Sequence, residues 1–503
     1  QRVGPGTPPR DASLVEVVAS VPPSRLPAHP LVSIEPELRL RHARGQSFAD
    51  LIALRSGRLP AFPDGVALPS NGEEVRALLT YAREVGARLI PYGGGTSVVG
   101  HVNVTPGDAP VLTVALERMQ ELHALSEEER LATFGAGVSG PRLEGALRAR
   151  GYTLGHFPQS FELSTLGGWI ATRSRGQQSL GYGRIESLFA GGRLESPAGS
   201  LALPAFPACS TGPDVREFVL GSEGRLGILT EATVRLSPLP EREDFHALFF
   251  PDWERARTAV RELVQSGAPL SMLRLSTPEE TRLNLALAGH PRLVGLLSGA
   301  LALRGVEAEG CMLVLGLSGS ERTVAFARRM ALELAGRHGA VRMPLLGGKW
   351  RQGRFRAPYL RNAAWECGWG VDTVETATTW SNLPRLLAAV EDSLRGALAE
   401  QGERVLAFTH LSHVYPSGSN LYTTFLFRLG AEADETHARW LSLKTAASRA
   451  IVAHGGTISH QHGVGVDHLP YLEAEKGALG LAAIRQVVKT FDPTGLLNPG
   501  KLV

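Results

Sequence analysis

The chain has 503 residues, of which 43% are hydrophobic and 20% are charged, so it is long enough for two or three folded domains with an extensive core. A formal net charge of +3, with no dense run of lysine and arginine, argues against a nucleic-acid partner. The three cysteines are odd in number and lack CxxC spacing, which favours a reducing compartment over a disulfide framework.

The start of the chain is rich in proline and arginine, and its lead-in VGPGTPPRD predicts disorder. The pattern NGEEVRALLTYAREVG from Asn71 then predicts a helix, and ARLI, ending at Ile90, predicts a strand. That strand leads into a triple-glycine loop, Pro91-Tyr92-Gly93-Gly94-Gly95-Thr96-Ser97. Most such loops are only turns, but consecutive glycines can also hold bare N–H groups against a phosphate. The loop therefore indicates a phosphate site if other cofactor motifs accompany it.

Such motifs follow. The run GHFPQSFELSTLGGWIATRSRG, from Gly155 to Gly176, supplies polar donors, a cation and a Gly-Gly pair where backbone can pass close to a ligand. In STGPDVREFVLGSEGRLGILTEATVRL, Gly224 and Gly227 flank the start of an apolar strand, which suits an adenine or flavin face. Any one of these glycines could simply permit a tight turn. All the motifs together indicate a bound dinucleotide.

These motifs resemble the FAD-binding domain of vanillyl-alcohol oxidase-type flavoproteins, the type 4 FAD-binding oxidoreductases and transferases. Within that superfamily, the chain is similar to the alkyldihydroxyacetonephosphate synthase family of ether-lipid enzymes, from about Pro63 to the C-terminus. The resemblance implies an α+β fold and FAD as cofactor. We expect the FAD to be non-covalent, because His101, the one candidate after the glycine loop, does not match the usual attachment pattern.

The resemblance also implies which residues surround the FAD. The cofactor-binding candidates are Pro91, Tyr92, Gly93, Gly94, Gly95, Thr96, Ser97, Pro158, Gln159, Ser160, Phe161, Glu162, Leu163, Ser164, Ala171, Thr172, Arg173, Ser174, Glu223, Gly224, Arg225, Leu226, Gly227, Ile228 and Leu229.

Four segments are predicted. The first is an N-terminal arm, 1–62, partly disordered and then helical. The FAD-binding domain, 63–240, ends at the two prolines of EATVRLSPLPE. A second α+β domain, 241–431, forms the cap over the substrate, and a helical C-terminal segment, 432–503, packs back on the flavin domain.

A second group of candidates lies outside the flavin domain, in the run FTHLSHVYPSGSNLYTTFLF. Read as a strand, it places His413 and Tyr415 on one face and His410 on the other. A lone histidine or tyrosine in a strand is usually a packing residue. The resemblance assigns Tyr415 the role of catalytic acid/base.

The resemblance assigns roles to five more residues. His460 or His462 would help Tyr415, and His156 would lie near the flavin. Arg361 would bind substrate, and Arg274 would be a second arginine needed for activity. Either arginine could instead form an ordinary salt bridge.

The C-terminal motif TISHQHGVGV departs from the family pattern. The family has three histidines in a row before GVG, whereas Gln461 stands here between His460 and His462, which leaves the role of the middle position open. Alternate strand residues face one way, so the two histidines could bind a metal. No carboxylate stands beside them in the sequence, and we predict no metal site.

The nearest alternative is an FAD-dependent D-2-hydroxyacid dehydrogenase of the D-lactate or glycolate type. That branch has patterns resembling GHxGDGNxH and GEHGxG, but Tyr422 and Gln461 stand here where its second histidine and its glutamate belong. A further alternative is an FAD-binding protein without activity, which would need decayed functional positions. A nicotinamide dehydrogenase is not indicated, since no GxGxxG opens a helix.

The resemblance implies exchange of the acyl chain of acyl-dihydroxyacetone phosphate for a long-chain alcohol, through a flavin N5 adduct and without net redox change. We expect a homodimer, and peripheral contact with a membrane surface because both substrates are long-tailed. No signal-peptide pattern or peroxisomal address is visible, and Arg304, Glu307 and Glu309 interrupt the most apolar stretch. We therefore expect a cytoplasmic protein, peripheral to the membrane.

Overall fold

The computed structural model describes residues 4–287, 291–343, 346–355 and 359–503. The gaps take in the first three residues of the predicted arm and parts of the predicted cap domain, among them the start of the run APYLRNAAW. Within the described ranges, a four-stranded, a five-stranded and a two-stranded sheet precede a large antiparallel one. The architecture is the mixed α+β arrangement expected for a vanillyl-alcohol oxidase-type flavoprotein.

The first sheet delivers the glycine loop. Its strand order is β1-β2-β4-β3, with β2 and β3 parallel to β4. The helix between β2 and β3 starts at Asn71, whose side chain caps the Glu74 N–H, and it buries one apolar face. The elements are β1 (Val32–Ser33), β2 (Gly65–Ala67), α4 (Gly72–Glu84), β3 (Arg88–Tyr92) and β4 (Val111–Ala115).

One helix, α1 (Leu14–Ala19), precedes this unit, and two more, α2 (Pro36–Arg41) and α3 (Phe48–Ser56), lie between β1 and β2. The proline-rich segment before α1 forms hydrogen bonds with other parts of the chain. The Trp369 indole donates to the Gly4 carbonyl at 3.1 Å, and Asp11 accepts from Trp365 and Arg55 at 2.9 and 2.6 Å. The stretch for which the sequence predicts disorder thus lies against the later part of the chain.

The second sheet is antiparallel in the order β5-β6-β10-β8-β9 and shares its core with the first. Its strands are β5 (Leu122–Ser126), β6 (Leu131–Gly135), β8 (Phe189–Ser196), β9 (Gly199–Leu203) and β10 (Ile228–Arg235). The short strands β7 (Tyr152–Thr153) and β11 (Ser237–Pro238) pair with each other. The helices are α5 (Gly140–Arg148), α6 (Leu166–Thr172), α7 (Ser179–Tyr182), α8 (Ile185–Leu188) and α9 (Arg216–Val219).

The large sheet forms the second half of the molecule. Its order is β15-β12-β14-β13-β17-β19-β16, with β18 paired to β19. The strands are β12 (Arg242–Phe250), β13 (Met272–Ser276), β14 (Cys311–Gly319), β15 (Val341–Met343), β16 (Trp369–Thr379), β17 (Leu406–Leu411), β18 (Val414–Tyr415) and β19 (Gly418–Arg428). The helices are α10 (Trp253–Gln265), α11 (Pro278–Leu287), α12 (Pro291–Ala302), α13 (Glu321–Arg337), α14 (Leu346–Gly353), α15 (Leu360–Glu366), α16 (Leu383–Gly396), α17 (Ala433–Ala453) and α18 (Leu472–Phe491).

One face of this sheet is covered by helices. Apolar side chains of α10, α13, α16 and α17 form one core with alternate residues of the strands, such as Leu275, Val374 and Leu421. Because side chains alternate along a strand, Arg274, Glu375 and Tyr422 point to the opposite face. The polar candidates of the sheet are therefore concentrated on the face that these helices leave uncovered.

The end of the chain returns to the flavin half. The Leu89 N–H donates to the Leu496 carbonyl at 2.9 Å, and the Asn498 N–H donates to the Leu89 carbonyl at 2.7 Å. By contrast, α17 packs on the helix-covered face of the large sheet. Among the described helices, none is both long and apolar enough to cross a bilayer. The predicted domain boundaries stay predictions.

Candidate active site

The glycine loop after β3 lies against the loop before α6. A Cβ on Gly94 would lie 1.9 Å from the Leu163 carbonyl oxygen, and one on Gly93 would lie 2.4 Å from the Thr165 hydroxyl. A side chain at Gly94 would have to separate the two loops, because the obstacle is backbone, whereas one at Gly93 would have to displace the Thr165 side chain. The glycines at 93 and 94 thus have a packing reason, in addition to any contact with a phosphate.

The other predicted cofactor motifs meet at the same place. A Cβ on Gly224, which has φ +75°, would lie 2.9 Å from Pro91, and the Glu223 N–H donates to the Ala171 carbonyl at 2.9 Å. The backbone of the glycine loop is partly exposed although the strands around it are buried. Loops that converge on bare backbone, with glycine where a Cβ would block the approach, fit the pyrophosphate of FAD.

Several predicted cofactor residues have protein partners. Arg173 donates to Glu217 at 2.7 Å and to the Leu220 carbonyl at 3.1 Å, and Arg225 donates to the Leu497 carbonyl. The side chains of Leu226, Ile228 and Leu229 lie in the core. In this structure these side chains hold the predicted cofactor loops in position.

The loop from Pro158 to Ser164 presents a mixed surface. The Ser164 hydroxyl accepts from the Trp169 indole at 2.7 Å, Phe161 stacks on Phe355 at 5.4 Å, and Glu162 accepts from the Tyr359 hydroxyl at 2.7 Å. Gln159 is exposed. Gln159 is thus available to solvent or to a ligand at the loop surface, whereas Ser164 and Glu162 already have protein partners.

Glu223 ties the C-terminal motif to the flavin half. Its carboxylate lies 3.0 Å from His101 Nε2 and accepts the N–H groups of Val464 and Gly465 at 2.6 and 2.9 Å. Burial alone would raise the pKa of Glu223, but His101 and the two N–H donors lower it. Since His101 Nδ1 also lies 2.9 Å from the Ser97 hydroxyl, both ring nitrogens have protein neighbours. This agrees with the prediction that His101 is not a flavin attachment point.

Tyr415 and His460 are in direct contact. The Tyr415 hydroxyl lies 2.7 Å from His460 Nε2, although the two residues are far apart in sequence. Burial raises the pKa of Tyr415, and burial also lowers the pKa of His460 to about 4, so both groups are neutral near pH 7. A phenol hydrogen-bonded to a neutral imidazole is a suitable acid/base pair.

Tyr415 borders a cavity of about 230 Å³ between the two halves of the molecule. Leu180 and Leu273 line it with apolar surface, and Arg184 and His413 contribute polar groups. The His413 ring lies 5.2 Å from the His460 ring. The predicted neighbours His413 and Tyr415 thus reach the same imidazole from the turn and strand that follow β17.

Arg274 lies in a separate cluster. Its guanidinium donates to Glu280 at 2.7 Å, and it lies 3.1 Å from His410 Nδ1. Burial would raise the pKa of Glu280, but Arg274 and His410 outweigh it and hold it at about 2. The His410 ring stacks on Tyr422 at 5.0 Å, and Tyr422 meets the His462 ring edge-on at 5.8 Å. Arg274 therefore reaches the C-terminal histidines only through intermediate rings.

Two more predicted residues lie apart from the Tyr415–His460 pair. Arg361 on α15 donates to the Gln46 backbone carbonyl at 2.7 Å and to its side chain at 3.2 Å. His156 is buried against Trp169 and lies 2.8 Å from the Ser174 hydroxyl. Burial lowers the pKa of His156 to about 3, so it is a neutral imidazole beside the predicted cofactor loops.

Glu375 is a site residue that the sequence prediction missed. Its carboxylate, buried on β16, receives the N–H groups of His460, Gln461 and His462 and the Ser459 hydroxyl at 2.7–3.0 Å. The sequence does contain a signal for Glu375, which stands inside an apolar strand pattern. A glutamate in such a pattern is rarely buried without partners. In the described parts of the chain, no group of three histidine, cysteine or acidic residues is arranged to hold a metal ion.

Comparison with known proteins identifies the class. Residues 63–202 match the FAD binding domain model, and residues 239–502 match the model for the C-terminal domain of FAD linked oxidases. Together with the convergent cofactor loops and the large sheet, these matches define an FAD-linked flavoprotein of the oxidase type. FAD is its cofactor.

Individual relatives identify the family within this class. The chain is 31% identical to an alkyldihydroxyacetonephosphate synthase from Dictyostelium discoideum over 92% of this chain and 77% of that protein. It is 32% identical to the one from Trypanosoma brucei brucei, over 94% and 78% respectively. A solved alkyldihydroxyacetonephosphate synthase structure covers 98% of the chain, and 88% of that structure is matched, with a TM-score of 0.82 and 27% identity. The chain belongs to the alkyldihydroxyacetonephosphate synthase family.

The dehydrogenase alternative has weaker support. A mitochondrial D-lactate dehydrogenase [cytochrome] from Arabidopsis thaliana is 24% identical over 88% of this chain and 73% of that protein. The structure also favours the synthase family over the dehydrogenase. At the position of the second histidine of the dehydrogenase branch, this chain has Tyr422, which packs between His410 and His462.

Proposed function

We propose that this protein replaces the acyl chain of acyl-dihydroxyacetone phosphate with a long-chain alcohol, using FAD and giving no net redox change. The observation that carries the proposal is the 2.7 Å contact of Tyr415 with His460 beside a cavity, in a chain of this family. Bound FAD would supply a nucleophilic ring nitrogen for the exchange.

Tyr415 and His460 supply the proton transfer in this proposal. Exchange of a substituent at C1 of the substrate needs a group that removes a proton there and later returns it. The Tyr415 hydroxyl borders the cavity, and His460 behind it can accept the phenolic proton. Both residues are partly buried, and their direct hydrogen bond gives the proton a short path between substrate and enzyme.

Arg361 is the better candidate for holding an anionic part of the substrate. Among the described residues, Arg361 has no carboxylate within ion-pair distance, and its known partners are both on Gln46. Arg274 is already neutralised by Glu280 at 2.7 Å. A free guanidinium can form two parallel hydrogen bonds to a phosphate or carboxylate, whereas a paired one cannot do so without losing its partner. We assign Arg274 to the support of the sheet face around His410.

Two predictions from the sequence accompany this proposal. A homodimer is expected, and light scattering on the purified protein tests it. A cytoplasmic protein with peripheral membrane contact is also expected, because acyl chains and long-chain alcohols partition into bilayers. Flotation with lipid vesicles tests the contact with the membrane.

A substrate assay tests the proposed function. Purified protein with its FAD is incubated with acyl-dihydroxyacetone phosphate, with and without a long-chain alcohol. We expect release of the fatty acid and, with the alcohol present, formation of the alkyl ether. Release of neither product from a fully flavin-loaded protein would contradict the proposal.

A further inference from the structure

A buried carboxylate, a histidine and a tyrosine stand in a row at the proposed site. Glu375 lies on β16 directly opposite Tyr422 of β19, and none of its side chain is exposed. Its Oε2 lies 3.8 Å from His460 Nδ1, and the other ring nitrogen of His460 lies 2.7 Å from the Tyr415 hydroxyl. The His460 Nδ1 is buried and has no hydrogen-bond partner among the described residues.

The distance of 3.8 Å is too long for a hydrogen bond but short enough for a strong charge interaction in a buried site. A negative charge on that side of the ring favours a proton on Nδ1. With the proton there, Nε2 has a free lone pair and can accept from the Tyr415 hydroxyl. Tyr415 thus stands as the acid, His460 as the base and Glu375 as the carboxylate that orients the base. The same order of groups recurs in proton-transfer sites.

We propose that Glu375 is a positioning residue for Tyr415, acting through His460. It holds His460 with its proton on Nδ1 and stabilises the imidazolium that forms when Tyr415 gives up its proton. This inference rests on the proposed function for its role in turnover, but the tautomer of His460 does not depend on it.

The proton transfer is balanced. The O–H bond of Tyr415 breaks, an N–H bond forms at His460 Nε2, and no electron is transferred. The neutral phenol and neutral imidazole become phenolate and imidazolium beside the carboxylate, and the net charge of the three groups stays the same. Burial opposes an imidazolium at His460, and Glu375 is the largest influence in the other direction.

Other charges also face this row and are kept constant in the test. They come from the flavin half, the turn before β18, the same loop, the opposite strand and α17, and are Arg175, Arg184, Glu186, His413, His462, Tyr422 and Lys444.

A purely structural role is the competing explanation, because Glu375 also holds the loop. Ser459 provides the control. Its hydroxyl donates to Glu375 at 2.7 Å and accepts the N–H groups of His462 and Gly463 at 3.0 and 2.9 Å. Ser459→Ala therefore loosens the same loop without removing the negative charge.

The first measurement needs no substrate. In protein labelled with ¹⁵N at histidine, His460 is assigned by comparison with His460→Gln, and its two ring nitrogens are distinguished by their shifts. We expect the Nδ1–H tautomer in the wild type and in Ser459→Ala, and loss of that preference in Glu375→Gln. The Nε2–H tautomer in the wild type overturns the proposal.

The second measurement is turnover at pH 7. We expect Glu375→Gln to keep FAD, to lose roughly a hundred-fold in kcat and to change KM less than kcat. Glu375→Asp should retain most activity, and the double variant of Glu375→Gln with Tyr415→Phe should be no slower than Tyr415→Phe alone.

Two results in turnover overturn the proposal: a rise in KM for Glu375→Gln as large as its fall in kcat, or an equal loss of kcat in Ser459→Ala. Absence of exchange in the wild type contradicts the proposed function instead, and the tautomer measurement still decides the role of Glu375.

Discussion

At the scale of single residues, the two arginines predicted for the site differ in their charge environment. Arg274 is paired with Glu280 and lies beside His410, whereas Arg361 has only the oxygens of Gln46 as partners. The sequence could not distinguish them, because the partners lie on other elements. Of these two arginines, Arg361 is the one with no carboxylate within ion-pair distance among the described residues, whereas Arg274 is paired with Glu280 at 2.7 Å.

Substitution of Arg361 by lysine tests this difference. The lysine keeps the positive charge but loses the planar fork that grips an oxyanion through two hydrogen bonds. We expect KM for acyl-dihydroxyacetone phosphate to rise roughly ten-fold or more, with FAD content unchanged. Steady-state kinetics measure the effect, and Arg58→Lys, at an exposed surface pair, is the control. An unchanged KM would remove Arg361 from the substrate site.

At the scale of elements, the strand reading of FTHLSHVYPSGSNLYTTFLF was too simple. The structure divides the run into β17, β18 and β19, with a turn at Pro416-Ser417. His410 and Tyr415 therefore lie on different strands. Proline and glycine in the run signal the turn, but the register that places Glu375 opposite Tyr422 depends on a strand far away in sequence. The resemblance therefore named Tyr415 and His460, whereas the burial of Glu375 hinted at partners without showing which residues they are.

The glycine loop gives a prediction at the same scale. In Gly94→Ala, even a methyl group would lie 1.9 Å from the Leu163 carbonyl and must push the two cofactor loops apart. We expect loss of FAD, measured as flavin absorbance per protein after gel filtration. Gly107→Ala is the matched control, since a Cβ there meets nothing within 4 Å. Full flavin content in Gly94→Ala would show that these loops do not form the cofactor site.

At the scale of the whole molecule, the C-terminal segment joins the two halves. Glu223 of the flavin half holds the Val464 and Gly465 N–H groups, while Glu375 of the large sheet holds the preceding loop. From the sequence we predict that the segment 432–503 packs back on the flavin domain. The sequence could not show that two buried carboxylates anchor the histidine motif from opposite sides.

Buried histidines predict an acid-sensitive fold. Burial lowers the pKa values of His156, His460 and His468 from 6.5 to about 3, about 4 and about 4. Below pH 6.5 the unfolded chain therefore binds protons that the folded chain does not. Above pH 6.5 these three histidines do not lower the free energy of unfolding. As the pH drops toward 4, the free energy of unfolding falls by up to about 1.4 kcal/mol per pH unit for each histidine.

Thermal unfolding followed by circular dichroism measures this dependence. We expect Tm to be nearly constant between pH 8 and 7 and to fall steadily from pH 6.5 to 5. The fall should be shallower in His468→Gln than in His123→Gln, because His468 is buried and His123 is exposed. A Tm that stays constant down to pH 5 would contradict the burial of these rings.

The dehydrogenase alternative is tested on the intact flavoprotein. D-lactate, D-2-hydroxyglutarate and glycolate are added without oxygen, and flavin absorbance is followed. We expect no bleaching, since Tyr422 and Gln461 stand where that branch has its histidine and glutamate. Dithionite, which reduces flavins directly, is the positive control. Rapid bleaching by any of the three acids would favour the dehydrogenase.

The most direct test of the central claim is Tyr415→Phe. The change removes one hydroxyl, and with it the 2.7 Å contact to His460, but keeps the ring. We predict normal folding and FAD content, with kcat for fatty-acid/alcohol exchange reduced on the order of a hundred- to ten-thousand-fold. An exchange rate near that of the wild type would show that Tyr415 is a packing residue, and the proposed proton transfer would be wrong.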